Sequence, residues 1–303
     1  MITAPDYIQF YPTLRCNQSC DFCFNGTLPK VPDMGYAEFR HMVTALKGQG
    51  VRTLDILGGE PTLHPDLLRF LKYGLQEGMT MNVSSNGIDI VQLSNIMERY
   101  PEISVGVSVN DASTAARLGK FIQKYHPIVK SVYNRDLDRE LLAALLSMHP
   151  KKLYLLYRDA LDPARVQETL PFDEYYRTVR REFAPSIVGM VYCSGFLPDI
   201  EHYPSLRSAR CPAGTTKLGI MPDGGVYPCN LFFGKSEFRL GNILTDPFEA
   251  IWRHSSLSFF RTMAHNTCER TTCTLFSSCH GGCPAHSYAF TGTRTSSDPR
   301  CFR

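Results

Sequence analysis

Three cysteines near the N-terminus, Cys16, Cys20 and Cys23, follow one another as C-x3-C-x2-C. Three thiolates in one short loop suit three irons of a four-iron, four-sulfur cluster. A cluster that only carries electrons takes four cysteines. A set of three leaves one iron without a protein ligand, so this spacing points to chemistry at the metal rather than to storage of an electron.

The remaining cysteines are distributed unevenly. The chain has eleven, with none between Cys23 and Cys193 and eight from Cys193 to Cys301. No charged segment followed by an apolar run marks the N-terminus for export, so a cytoplasmic chain is expected. Cytosolic thiols stay reduced, and clustered cysteines there bind metal more often than they form disulfides. From Cys211 the pattern is C-x12-G-x4-C, ending at Cys229. Cys268, Cys273, Cys279 and Cys283 follow, spaced by four, five and three residues, and Cys301 closes the set. Zinc competes with iron–sulfur clusters for such a set, since four-cysteine zinc sites are common. A purely structural metal-binding protein is the corresponding alternative to an enzyme.

Elements must place these loops. The chain of 303 residues is 43% hydrophobic, enough for one large domain or for a domain plus a smaller one. Its net charge of +3, with no lysine–arginine block, argues against nucleic acid as a partner. No apolar run approaches membrane-spanning length. Strands are expected over 7–14, 51–57, 79–84, 103–109, 128–133 and 152–157. Helices are expected over 35–47, 65–75, 90–100, through Leu118, Phe121 and Ile122, over 139–148 and over 173–183. In the first helix Phe39, Met42, Val43 and Leu46 fall on one face. Six strands alternating with helices imply a parallel α/β sheet, here a partial (β/α)6 TIM-type barrel, with function at the C-terminal strand ends. The cysteine loop follows strand one at that rim. Strand two runs into Gly58-Gly59-Glu60-Pro61. Paired glycines permit close backbone approach to a ligand, and Glu60 can accept hydrogen bonds from an ammonium group; the alternative is a tight strand-to-helix turn.

The cysteine loop, with Phe22 just before its last cysteine, and the Gly58–Glu60 segment together resemble the radical S-adenosylmethionine (radical SAM) superfamily over about residues 7–183. The resemblance implies that Cys16, Cys20 and Cys23 hold a 4Fe-4S cluster. Its open iron would bind the amino and carboxylate groups of S-adenosylmethionine, and Gly58, Gly59 and Glu60 would contact the methionine amino group. Asn86, within Ser85-Asn86-Gly87, together with Ser108 and Asn110 at the end of strand four, matches positions of further cofactor contacts; each also suits a turn.

The C-terminal cysteines resemble the SPASM extension of peptide-modifying members, which holds auxiliary iron–sulfur clusters. Leu240-Gly241-Asn242-Ile243 and Phe248-Glu249-Ala250-Ile251-Trp252 belong to that likeness, and residues 217–221 and 226–229 form an expected hairpin around Pro222-Asp223-Gly224-Gly225. By this likeness Cys211, Cys229 and Cys283 serve a first auxiliary cluster, and Cys268, Cys273, Cys279 and Cys301 a second. Four residues separate Cys268 from Cys273, where the family usually has two. Cys193 is either the missing fourth ligand, a hydrogen-atom donor beside the active site, or an inert core thiol. Either His280 or His286 could bind metal, but they are expected at the surface or supporting ligands. A radical SAM domain over 1–185 and a SPASM domain over 186–303 follow.

The resemblance further implies reductive cleavage of S-adenosylmethionine to a 5′-deoxyadenosyl radical, which abstracts hydrogen from a substrate carbon. It favours a ribosomally made peptide as substrate and a reductant such as flavodoxin or ferredoxin. Oxidation or epimerisation of a sugar or nucleoside is the alternative. Only Met1 to Asp6 precede strand one, so the leader-binding domain of many peptide maturases is expected to be absent; a separate recognition protein, direct binding of the peptide, or a small-molecule substrate would each fit. Asn230 stands where sulfatase-maturing members carry an aspartate base. An amide cannot take up a proton at neutral pH, which counts against formylglycine formation.

Overall fold

The computed structural model describes residues 4–134, 138–191, 211–262, 268, 272 and 281–302. Along the chain run β1 (Tyr7–Phe10), α1 (Tyr36–Gly48), β2 (Thr53–Ile56), α2 (Leu67–Gln76), β3 (Thr80–Ser85), α3 (Ile90–Arg99) and β4 (Ser104–Ser108). Then come α4 (Ala112–Tyr125), β5 (Ile128–Tyr133), α5 (Arg139–Ser147), β6 (Lys152–Tyr157), α6 (Phe172–Glu182) and β7 (Val188–Val191). The C-terminal part adds β8 (Lys217–Ile220), β9 (Gly225–Tyr227), β10 (Gly241–Asn242), α7 (Phe248–Trp252), α8 (Leu257–Thr262) and α9 (Pro284–Thr291). The six expected strand–helix pairs are all present. The first strand stops at Phe10 rather than Leu14, because Pro12 lacks the amide a ladder needs.

The chain forms two compact units. The first comprises Met1–Val83, Asp199–His265 and Thr272–His280. Its strands lie in the order β10-β9-β8-β1-β2-β3. β1 pairs parallel with β2, Phe10 opposite Ile56, and β2 parallel with β3, Ile56 opposite Val83. The expected hairpin is β8 and β9, antiparallel with Ile220 opposite Val226. Its first strand also pairs parallel with β1, Tyr7 opposite Lys217, so the C-terminal hairpin extends the N-terminal sheet. No local pattern signals that long-range pairing.

The first unit's core follows from the helix periodicity. Phe39, Met42, Val43 and Leu46 of α1 are all buried, as their spacing requires. Phe39 stacks on Phe70 of α2 at 4.1 Å between ring centroids, and Phe10 of β1 meets both rings at 5.7 and 6.4 Å. Phe10 thus turns toward the helices, so its neighbour Gln9 points to the opposite face of the sheet.

The second unit comprises Ser84–Pro198, Asn266–Thr271 and Gly281–Arg303. β4, β5, β6 and β7 are parallel neighbours, with Gly106 opposite Ile128, Ile128 opposite Lys152, and Leu153 opposite Val188. β7 is a seventh parallel strand beyond the six expected. It is four residues long and half-buried along most of its length. Tyr175 of α6 is fully buried, stacks on Tyr157 at 4.9 Å and donates to the Leu155 carbonyl at 2.7 Å.

Candidate active site and cysteine clusters

The cysteine loop leaves β1 along residues 11–15, and the backbone there is fixed from two sides. Tyr11 N–H donates to Ile220 O at 2.9 Å on the hairpin side. On the β2 side, Gly59 N–H donates to Thr13 O at 3.0 Å and Glu60 N–H to Arg15 O at 2.7 Å. Both glycines are required by this contact. Gly58 has φ +133°, and a Cβ there would stand 2.5 Å from the Thr13 carbonyl oxygen. A Cβ on Gly59 would collide with the carbonyls of Leu14 and Arg15. The sequence points to a close approach to a ligand; what both glycines approach in the structure is the chain segment that carries the cysteines.

Side chains complete the anchor. Arg15 donates through Nε and Nη2 to Asp33 Oδ2 at 3.0 and 2.5 Å, and through Nη2 to Leu63 O at 2.8 Å. Thr13 Oγ1 donates to Asp33 Oδ1 at 2.6 Å and accepts from Arg15 N–H at 3.0 Å. Burial opposes the charge on Asp33, but the bonds from Arg15 and Thr13 outweigh it and hold its carboxyl below the usual range. Asn25 donates from Nδ2 to Gly58 O at 2.7 Å, tying the far side of the loop to the same glycine. This Thr13–Arg15–Asp33–Asn25 frame escaped the sequence reading; the arginine directly before Cys16 was its one available sign.

Within the loop, Cys23 N–H donates to Cys20 O at 3.1 Å, closing a turn. Cys16 and Cys23 are exposed and Cys20 is half-buried. Although the Cys23 residue reaches solvent, atoms crowding its thiol desolvate it and push its pKa up; the Asn25 amide opposes this and the nearby Cys16 charge adds to it. Two thiols that repel when ionised are relieved by a bound cation, which fits a cationic iron centre at this donor set. Among the described residues no three His, Cys, Asp or Glu side chains converge on a single-ion point. Thiolates that each hold a different iron of a cluster need no such convergence. Phe22, between Cys20 and Cys23, is half-buried.

Glu60 is 1% exposed and caps the 3-10 turn Pro61–Leu63. Its Oε1 accepts from Thr62 N–H at 3.1 Å and from Thr62 Oγ1 at 2.7 Å. In the second unit, Asn86 Oδ1 accepts from Ile88 N–H at 2.9 Å in an Asx turn. Asn110 Oδ1 accepts from Val132 N–H at 2.8 Å, fixing the end of β4 to β5. Ser108 is half-buried at the last position of β4.

Of the C-terminal cysteines, Cys211 and Cys229 lie in the first unit, half-buried and buried. Cys268 and Cys283 lie in the second, half-buried and buried. Cys193, Cys273, Cys279 and His280 fall outside the described residues, and for Cys301 only the backbone, in the 3-10 turn Pro299–Phe302, is described. Asn230 is 2% exposed and donates from Nδ2 to the Tyr11 hydroxyl at 3.1 Å. Tyr11 in turn meets Phe233 edge-on at 4.9 Å. His286 is fully buried rather than at the surface, and its Nε2 accepts from Ala160 N–H at 3.0 Å.

Comparison with known proteins matches this arrangement. Residues 10–146 match the Radical SAM superfamily and residues 211–284 the SPASM iron-sulfur cluster-binding domain. The chain carries a radical SAM domain. Its C-terminal part is a SPASM domain, and four-iron, four-sulfur clusters and S-adenosylmethionine are its cofactors. It is 27% identical over 279 residues to the antilisterial bacteriocin subtilosin biosynthesis protein AlbA of Bacillus subtilis, spanning 82% of this chain and 59% of that protein. It is 23% identical over 333 residues to the PqqA peptide cyclase of Streptomyces rochei, spanning 99% of this chain and 90% of that one. In fold it resembles the crystal structure of Streptococcus suis SuiB bound to S-adenosylmethionine, with a TM-score of 0.77 at 18% identity, covering 99% of this chain and 78% of SuiB. Among the described residues no helix is long and apolar enough to cross a membrane.

Proposed function

We propose that this enzyme modifies a side chain or α-carbon of a ribosomally made peptide. The observation that carries this reading is the likeness to the PqqA peptide cyclase over nearly the whole of both chains, beside the likeness to a bacteriocin biosynthesis protein. Cys16, Cys20 and Cys23 hold the N-terminal cluster, in a loop whose register is set by the glycine contact and the Arg15–Asp33 pair. Glu60 presents a buried carboxylate to the methionine amino group, already oriented by Thr62. Gly58 and Gly59 hold the backbone against Arg15, and Asn86, Ser108 and Asn110 supply further contacts. With both cofactors bound, one-electron reduction of S-adenosylmethionine supplies a 5′-deoxyadenosyl radical that takes hydrogen from the substrate.

The chain's own groups limit what can follow. Asn230 is locked as a donor to Tyr11 and offers no base at neutral pH, so proton removal at that position is not part of the reaction. Cys211, Cys229 and Cys283 serve one auxiliary cluster and Cys268, Cys273, Cys279 and Cys301 another, with Cys193 as a further ligand or a hydrogen donor. The radical SAM domain takes residues 1–185 and the SPASM domain 186–303. A flavodoxin or ferredoxin is the reductant, and a separate recognition protein presents the peptide.

The test is anaerobic reconstitution with dithionite, S-adenosylmethionine and a peptide encoded beside the gene. The expected result is 5′-deoxyadenosine together with loss of hydrogen from the peptide or uptake of solvent deuterium into it. Turnover of a sugar or nucleoside with the peptide untouched would overturn the peptide reading.

A further inference from the structure

Cys283 is the N-cap residue of α9 and is 8% exposed. Its amide N–H donates to Asp298 Oδ2 at 3.1 Å. Asp298 also receives a two-pronged guanidinium: Arg300 Nη2 donates to Oδ2 at 2.9 Å and Nε to Oδ1 at 3.1 Å. The Arg300 backbone N–H adds a bond to Oδ1 at 3.0 Å. Arg300 Nη1 donates to Arg158 O at 3.3 Å and stands 3.5 Å from Asp159 Oδ1, with the guanidinium 4.6 Å above the Tyr157 ring. Gly282, at φ +94°, has no room for a Cβ because Asp298 occupies that space.

Both members of the pair are buried, Asp298 at 5% and Arg300 at 2% exposure. Burying an ion pair costs desolvation that its attraction only partly repays, and an apolar pair of the same shape often does as well. Stability alone therefore gives little reason for this pair. Its placement gives a better one. Asp298 is bonded to the Cys283 backbone, and Arg300 is bonded to Asp298, so both charges stand beside the residue that carries the thiol. A four-iron cluster held by thiolates gains negative charge on reduction, and fixed charges in a buried setting shift that equilibrium strongly.

We propose that the Asp298–Arg300 pair sets the reduction potential of the iron–sulfur cluster held by Cys283, Arg300 favouring the reduced state and Asp298 opposing it. The inference rests on the reading of Cys283 as a cluster ligand. It assigns both residues a positioning and tuning role, since neither is a ligand itself.

The experiment is a redox titration of the reconstituted full chain, followed by electron paramagnetic resonance, beside an iron and sulfide count. About twelve irons per wild-type chain establish that auxiliary clusters are present. Arg300→Gln is expected to move an auxiliary potential to more negative values and Asp298→Asn to more positive values, while Arg300→Lys stays near wild type. A purely structural clamp is broken equally by either substitution, so shifts of the same sign, or none, overturn the proposal. So does loss of the auxiliary clusters from both variants, because a tuning charge changes potential rather than occupancy. Where Arg300→Gln alone does not fold, Asp298→Asn and Arg300→Lys decide: the first must rise and the second must hold. An iron count of about four in wild type removes the ligand reading itself and the proposal with it.

Discussion

The two cysteine regions are built on different physics. The N-terminal loop, with Cys16 and Cys23 exposed and Cys20 half-buried, is fixed by backbone contacts: glycines against carbonyls, and an arginine–aspartate pair that is itself partly exposed. Around Cys283 the thiol is buried, and the backbone is held by a buried carboxylate and guanidinium. An accessible cluster has to admit a substrate, so its loop gains from a rigid scaffold that leaves the metal side clear. On the proposed reading of Cys283 as a cluster ligand, the surrounding charge there matters more than access.

That contrast can be broken in steps. The largest effect is expected from Cys20→Ala, which should reduce 5′-deoxyadenosine release to background and remove about four irons per chain while leaving the rest. Chromatography of the nucleoside and an iron count check both parts; undiminished product contradicts the assignment of this loop. Next comes Asp298→Ala, which leaves Arg300 buried without its main partner. It should cost about 3–5 kcal/mol in denaturant unfolding of the full chain, with little effect on S-adenosylmethionine binding to the N-terminal loop. Gly59→Ala should show the reverse pattern. Its Cβ has to displace the Leu14–Arg15 carbonyls, so S-adenosylmethionine affinity should fall at least about tenfold while global stability drops by only about 1–3 kcal/mol. Equal damage to both readouts from both variants would erase the distinction.

The smallest effect concerns pH. Asp33 has a carboxyl held below its ordinary value, so its contribution is complete above the unfolded value of about 3.9 and fades as pH falls through the lower folded value. The pair is partly exposed, with side-chain exposures of 56% for Arg15 and 24% for Asp33, so no more than about 1 kcal/mol is at stake. Asp33→Asn should remove that acid-side dependence and leave stability at neutral pH lowered by the same small amount. A melting series from acid to neutral pH measures it.

Local patterns made much of this legible. The cysteine spacing located the N-terminal loop, the apolar period of α1 named its buried face, and Asp223-Gly224 marked the β8–β9 hairpin. What escaped is non-local. The parallel pairing of β8 with β1 joins residues more than two hundred positions apart, and nothing in either strand announces the partner. The role of Gly58 and Gly59 depends on where the Thr13 and Arg15 carbonyls lie; the glycine pair signalled a close approach to a ligand, and the neighbouring backbone that it meets had no local sign. Asp298 and Arg300 sit in a polar C-terminal stretch; they are buried against Tyr157, Arg158 and the Cys283 backbone, partners that the local composition does not reveal.

The central claim is that the N-terminal cluster binds S-adenosylmethionine at an iron with no protein ligand. It is tested most directly by electron paramagnetic resonance of anoxic, dithionite-reduced protein before and after S-adenosylmethionine is added. The account predicts a changed cluster signal that is absent in Cys20→Ala. An identical spectrum with and without the cofactor would contradict it.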